Sequence, residues 1–96
     1  MEDRIQLLHP NEKEMPSINK EKYNLVKKTI LDIIKENNII TFKNLSKESS
    51  HRLNGILDGS PSWYVTSVKL DLEARGIIER LAKTSPQKIQ LVKSEE

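Results

Sequence analysis

The sequence predicts an α+β domain: three helices and a small antiparallel sheet that includes a C-terminal β-hairpin. Three observations carry that expectation. Apolar residues recur at helical spacing in two segments, Tyr23 to Ile34 and Val65 to Leu72. Gly76 stands where a helix needs a left-handed residue to stop, and Ile77-Ile78 begins an extended run directly after it. Ile89 and Leu91 then alternate with polar Gln90, as a strand with one buried face should.

Residues 1–18 form an N-terminal arm. Arg4-Ile-Gln-Leu-Leu8 is long enough for a short strand, and His9-Pro-Asn11 is a turn signal. Such an arm can pair with a sheet edge, lie over the core or help to join two copies. The first helix is expected from about Lys20 to Asn37. Asn19 is its N-cap, and Ile18 and Tyr23 occupy the positions of a hydrophobic staple. Tyr23, Val26, Ile30, Ile33 and Ile34 share one face, leaving Lys22, Lys27, Lys28, Lys35 and Glu36 to water. Asn37-Asn38 ends the helix, and Ile39-Ile40 has room only for a small strand.

Thr41 caps a second helix through Phe42 and Leu45. Its apolar side is thin, with Ser46, Ser49 and Ser50 at positions that larger residues would fill. Arg52 to Ser60 contains Asn-Gly and Asp-Gly, both turn markers, with Leu53, Ile56 and Leu57 available to fasten the segment to the core. Ser60 or Ser62 caps the third helix, and Pro61 suits its first turn. Val65, Val68 and Leu72 make its buried stripe. Ile77–Leu81 and Lys88–Val92 are the hairpin strands around the polar loop Ala82–Gln87, and residues 94–96 form an acidic tail.

Ninety-six residues suffice for one domain with a modest core. The chain has 35% apolar and 31% charged residues, so that core must come from a few well-placed stripes. Cysteine is absent, which excludes disulfides and thiolate chemistry. Met-Glu-Asp-Arg lacks the basic start and apolar run of a secretion signal, and no apolar run approaches the ~20 residues of a membrane span. A cytoplasmic protein is the expectation. The net charge is +2, unevenly spread: Glu2, Asp3, Glu12 and Glu14 outweigh Arg4 and Lys13, and Glu95-Glu96 closes the chain, so residues 19–94 carry +6. A basic body between acidic ends suits a polyanion, although lysine-rich helices also serve solubility alone.

The Thr41-Phe-x-x-Leu45 opening and the Leu72-Glu-Ala-Arg-Gly76 close, followed by Ile-x-Arg80, stand where a winged helix-turn-helix domain has them. Over residues 19–93 the order of elements resembles that fold. More narrowly, Trp63-Tyr64 with Val68-Lys-Leu-Asp-Leu-Glu-Ala-Arg-Gly76 and Ser85-Pro-Gln87 resembles a family of small uncharacterised bacterial winged-helix proteins, which offers no activity or ligand to carry over. The resemblance to the fold implies a DNA-binding protein, such as a transcriptional regulator acting as a homodimer on double-stranded DNA. Helix 61–76 would enter the major groove and wing 82–88 would lie on the backbone.

On that reading the candidate DNA contacts are Ser62, Thr66, Ser67 and Lys69 on the outer side of the third helix, with Tyr64 stacking at its start. Lys43 and Lys47 on the second helix, Arg80 on the strand, and Lys83 and Lys88 on the wing would hold phosphates. Trp63 is expected to cap the core, and Asp71 with Arg75 to form an ordinary surface pair worth at most ~0.5 kcal/mol. The alternative is a protein-interaction module of the same shape that has lost nucleic-acid readout. Charges between residues 60 and 76 cancel, with Lys69 and Arg75 against Asp71 and Glu73, which favours that alternative.

An enzyme is not expected. His9 and His51 stand apart without metal-ligand spacing. His51 lies near Ser49, Ser50, Asp58 and Ser60, but no Gly-x-Ser-x-Gly elbow accompanies them. With only Gly55, Gly59 and Gly76, no glycine loop is available to cradle a phosphate, and no cofactor is implied.

Overall fold

A computed structural model describes residues 3–57, 59–81 and 87–92. Its elements run β1 (Arg4–Gln6), β2 (Ser17–Asn19), α1 (Lys20–Asn37), β3 (Ile39–Thr41), α2 (Phe42–Leu53), α3 (Pro61–Ala74), β4 (Ile78–Arg80) and β5 (Lys88–Leu91). The class is α+β, three helices with two small antiparallel sheets. In the three-stranded sheet the order is β3-β5-β4, with Ile40 opposite Ile89 and Ile78 opposite Leu91.

The arm does not reach that sheet. β1 pairs instead with β2, Ile5 opposite Ile18, a partner strand that the sequence reading lacked. Strand β2 is only three residues long and runs straight into α1, so its alternation is too brief to register as a pattern. Around the turn, the Glu12 amide donates to the His9 carbonyl at 3.0 Å, and the Asn11 amide to His9 Nδ1 at the same distance. Leu7 and Ile18 point into the common core. The arm thus lies over the helices.

Helix α1 begins where capping dictates: Asn19 Oδ1 accepts from the Lys22 amide at 3.1 Å. It buries Tyr23, Val26, Ile30, Ile33 and Ile34, and Asn38 at φ 63° turns the chain into β3. Thr41 Oγ1 accepts from the Asn44 amide and starts α2, which contributes Leu45 and Leu53 to the core. Arg52 reaches back from α2 to Glu36 on α1 with both terminal nitrogens, at 3.1 and 2.7 Å. That exposed fork holds the Glu36 carboxyl below its usual range.

α2 and the linker after it depart from expectation. The helix extends through Arg52 and Leu53, so the linker to α3 is shorter than the segment Arg52 to Ser60 that the sequence suggested. Leu53 and Leu57 pack on the core, but Ile56 is exposed. Ser49 is fully buried and its Oγ has no hydrogen-bond partner.

Helix α3 stops in a Schellman turn. The Ile77 amide donates to the Leu72 carbonyl at 3.0 Å and the Gly76 amide to the Glu73 carbonyl at 3.1 Å, with Gly76 at φ +74°. That conformation suits glycine and delivers Ile78, buried, straight into β4. No described helix is long and apolar enough to cross a membrane.

Candidate interaction face on the third helix

Ser60 Oγ accepts from the Trp63 amide and Pro61 opens the first turn of α3. Val65, Val68 and Leu72 are fully buried, as their spacing required. The other sides of the helix differ from the sequence reading.

Lys69 is not on the outer face. It stands four residues after Val65, on a flank of the buried stripe, and only 5% of it is exposed. Its ammonium lies 4.8 Å from the centre of the Phe42 ring and 2.6 Å from Glu73 Oε1. The Glu73 side chain is itself only 6% exposed. Two charges that looked like a solvated face on paper form a sunken pair, capped by an aromatic ring. Arg80, expected on phosphate, shares the strand face of Ile78 and brings Nε to 3.8 Å from Glu73 Oε2. It belongs to the rim of the same cluster.

Ser67 is also buried, at 5%, so it is withdrawn from any DNA contact. One turn after Ser67, on the flank opposite Lys69, is Asp71, with no exposure at all. Asp71 is not half of an ordinary surface pair. Its Oδ1 accepts from the Leu8 amide at 2.8 Å, and its Oδ2 from the Tyr23 hydroxyl at 2.5 Å and from Arg75 Nε at 2.8 Å. Arg75 also donates to the Gln6 carbonyl at 3.1 Å. One carboxylate therefore joins arm, α1 and α3. Nothing in the local sequence announces this, because its partners stand 63 and 48 positions away.

Burial, then the hydrogen bond to Asp71, pushes the Tyr23 hydroxyl far above its usual value of 10.0. The folded state holds this proton more tightly than the unfolded chain. Its contribution to stability is complete below about pH 10 and is lost as the pH rises beyond it. Thermal melting between about pH 9 and about pH 11 should show a falling midpoint, and Tyr23→Phe should make that fall shallower. An equally steep fall in the variant would remove Tyr23 from the account.

Trp63 departs from expectation as well. It lies across the helix from the buried stripe, 45% exposed, with its ring edge-on to Tyr64 at 5.2 Å between centroids and 82° between planes. Tyr64 is half-buried and packs on the core. The solvent side of α3 is then a narrow strip: Ser62, Trp63 and Thr66 exposed, Leu70 and Ala74 half-buried. Trp63, Thr66, Leu70 and Ala74 follow each other at i, i+3, i+7 and i+11, a helical spacing already visible in the sequence. No charged side chain interrupts it.

Of the remaining candidates, Lys43, Lys47 and Lys88 are exposed on α2 and β5. Lys83 and most of the wing 82–88 lie outside the described residues, as does Asp58. Ser49 is buried and His51 exposed two positions along the same helix, so the two do not face one another. Among the described residues no group of three or more histidines and carboxylates gathers for a metal ion.

A protein-family model matches residues 4–89, which covers both the arm and the three helices. The chain belongs to DUF6958, a family of unknown function. The match places the DUF6958 arm inside the shared unit, in keeping with the Asp71 contacts that fasten it. No curated protein and no solved structure matches this DUF6958 chain.

Proposed function

We propose that this chain is a winged-helix module whose third helix makes protein contacts rather than reading bases. The winged-helix part of the proposal is supported by the order α1, β3, α2, α3, β4, β5 and by the β3-β5-β4 sheet, with β4 and β5 as the stem of the wing. The functional part rests on a single observation: Lys69, the cation expected to face a groove, is buried against Glu73 and Phe42. What α3 offers to solvent is Trp63, Thr66 and Leu70, with Ser62 at the margin. Base recognition draws on arginine, lysine, asparagine and glutamine, and none of these stands on that strip.

The second reading, a DNA-binding regulator, keeps support from Lys43 and Lys47, exposed on α2 beside α3, and from Lys88, exposed on strand β5. It would rely on phosphate contacts with little sequence selectivity. Salt-titrated binding to random duplex DNA separates the two, because the slope counts neutralised phosphates. The expected result is no binding at physiological salt, and at low salt only a weak interaction that Lys43→Glu with Lys47→Glu removes. Tight binding at physiological salt, with a slope of several phosphates, would overturn the protein-contact reading.

A further inference from the structure

We infer that the open edge of β3 takes up an extended, acidic peptide segment as a fourth strand of the sheet. The inference rests on the sheet alone and holds whichever partner α3 takes. β3 is paired on one side only, since the strand order is β3-β5-β4. The ladder determines which of its backbone groups are spare. The Phe42 amide donates to the Gln87 carbonyl at 3.1 Å, so these two residues form a hydrogen-bonded pair. Such pairs alternate along antiparallel strands, and Thr41 stands opposite Lys88, Ile40 opposite Ile89. Ile40 therefore turns its backbone toward β5, while Ile39 and Thr41 turn theirs outward. Among the described residues neither outward amide has a hydrogen-bond partner. An edge with spare amides is a template for another extended chain.

Charge selects the occupant. Two grooves meet at Ile39, whose side chain is exposed on the solvent face of the sheet. One, of about 470 Å³, is lined by β3 together with Asn37, Asn44 and Lys88. The other, of about 340 Å³, includes Lys35. No carboxylate is among the described residues that line either groove. Glu36 and Glu48 on the flanking helices are both held by Arg52, and Glu79 across the sheet by Gln90. A second copy paired on this edge would bring lysines against lysines, whereas an acidic segment supplies their counter-ions. Ile39 gives β-branched residues of that segment a cross-strand neighbour. β3 is only three residues long, so the dissociation constant should be on the order of 0.1–1 mM.

The probe is the peptide acetyl-Glu-Glu-Val-Thr-Val-Glu-Glu-amide, with a control in which lysine replaces every glutamate. In an amide-resolved NMR titration at low salt, the acidic peptide should shift the Ile39 and Thr41 signals and slow their hydrogen exchange. Ile40, already in the ladder, should change little. The lysine peptide should bind at least about 10-fold more weakly, and Lys35→Glu should weaken the acidic one about 3-fold or more. Thr41 has φ −71°, the value a proline ring imposes, so Thr41→Pro deletes one outward amide at little cost in backbone geometry. It also deletes the cap on the Asn44 amide, which Thr41→Ala deletes alone. Thr41→Pro should therefore bind at least about 10-fold more weakly than Thr41→Ala. No shift up to about 5 mM peptide, equal binding of both peptides, or shifts centred on Trp63 instead of Ile39 and Thr41 overturns the inference. So does protection of these amides that grows with protein concentration and needs no peptide, which makes a second copy the occupant.

Discussion

Asp71→Ala is expected to lower the stability of the folded chain by about 3–5 kcal/mol, the range for breaking a buried ion pair from one side. The carboxylate has no exposure, and three donors on three elements depend on it. Removing it strands the Tyr23 hydroxyl and the Leu8 amide, and leaves Arg75 without its principal partner. For a domain of this size, with a total stability of about 5–10 kcal/mol, that is a large share. Chemical denaturation measures the loss directly. Hydrogen exchange should show its largest increase in residues 3–19, since the arm loses its anchor on α3. A loss below about 1 kcal/mol, the scale of an exposed pair, would mean that the interlock carries little energy.

Lys69→Glu is the second large effect. On a solvated DNA-reading helix the substitution would abolish binding and leave the fold intact. Here it sets a new carboxylate beside Glu73, whose side chain is 6% exposed, and the cost should reach about 3–5 kcal/mol. Lys69→Met separates charge from shape. It keeps a flexible apolar chain on Phe42 and leaves Glu73 only the more distant Arg80, at 3.8 Å. The expected loss is about 1–3 kcal/mol, the penalty for an incompletely partnered buried group. If both variants melted with the wild type, Lys69 would be solvated after all and the groove-facing reading would regain its cation.

These two residues also mark the boundary of what was legible in the sequence. Local chemistry was readable: the Asn19, Thr41 and Ser60 caps, the Gly76 stop and the inner stripes of α1 and α3 all lie where propensity and spacing put them. Each depends on residues within one or two turns of one another. Lys69, Asp71 and Trp63 were misplaced for a common reason. A charged residue on a helix is usually solvated and a tryptophan usually buried. Only contacts with distant elements reverse those preferences: Phe42 over Lys69, and the arm and Tyr23 around Asp71. Strand β2 was missed because three residues cannot display a period. Among the described candidate DNA contacts, Ser67 and Lys69 are the buried ones, and the local sequence does not encode that burial.

The reach of the Asp71 interlock has a consequence for the order in which the molecule assembles. Leu8 and Asp71 are 63 positions apart, and Arg75 and Gln6 are 69 apart. The helices can meet through much shorter loops, so their contacts cost less chain entropy to form. The clamp needs Tyr23 from α1 and Asp71 from α3 together, so it is expected to close after the two helices meet. Arm docking is then a late event on the folding route. Substitutions in residues 4–8 should act mainly by hastening unfolding, with refolding rates almost unchanged. The residues that begin the chain are among the last to find their places.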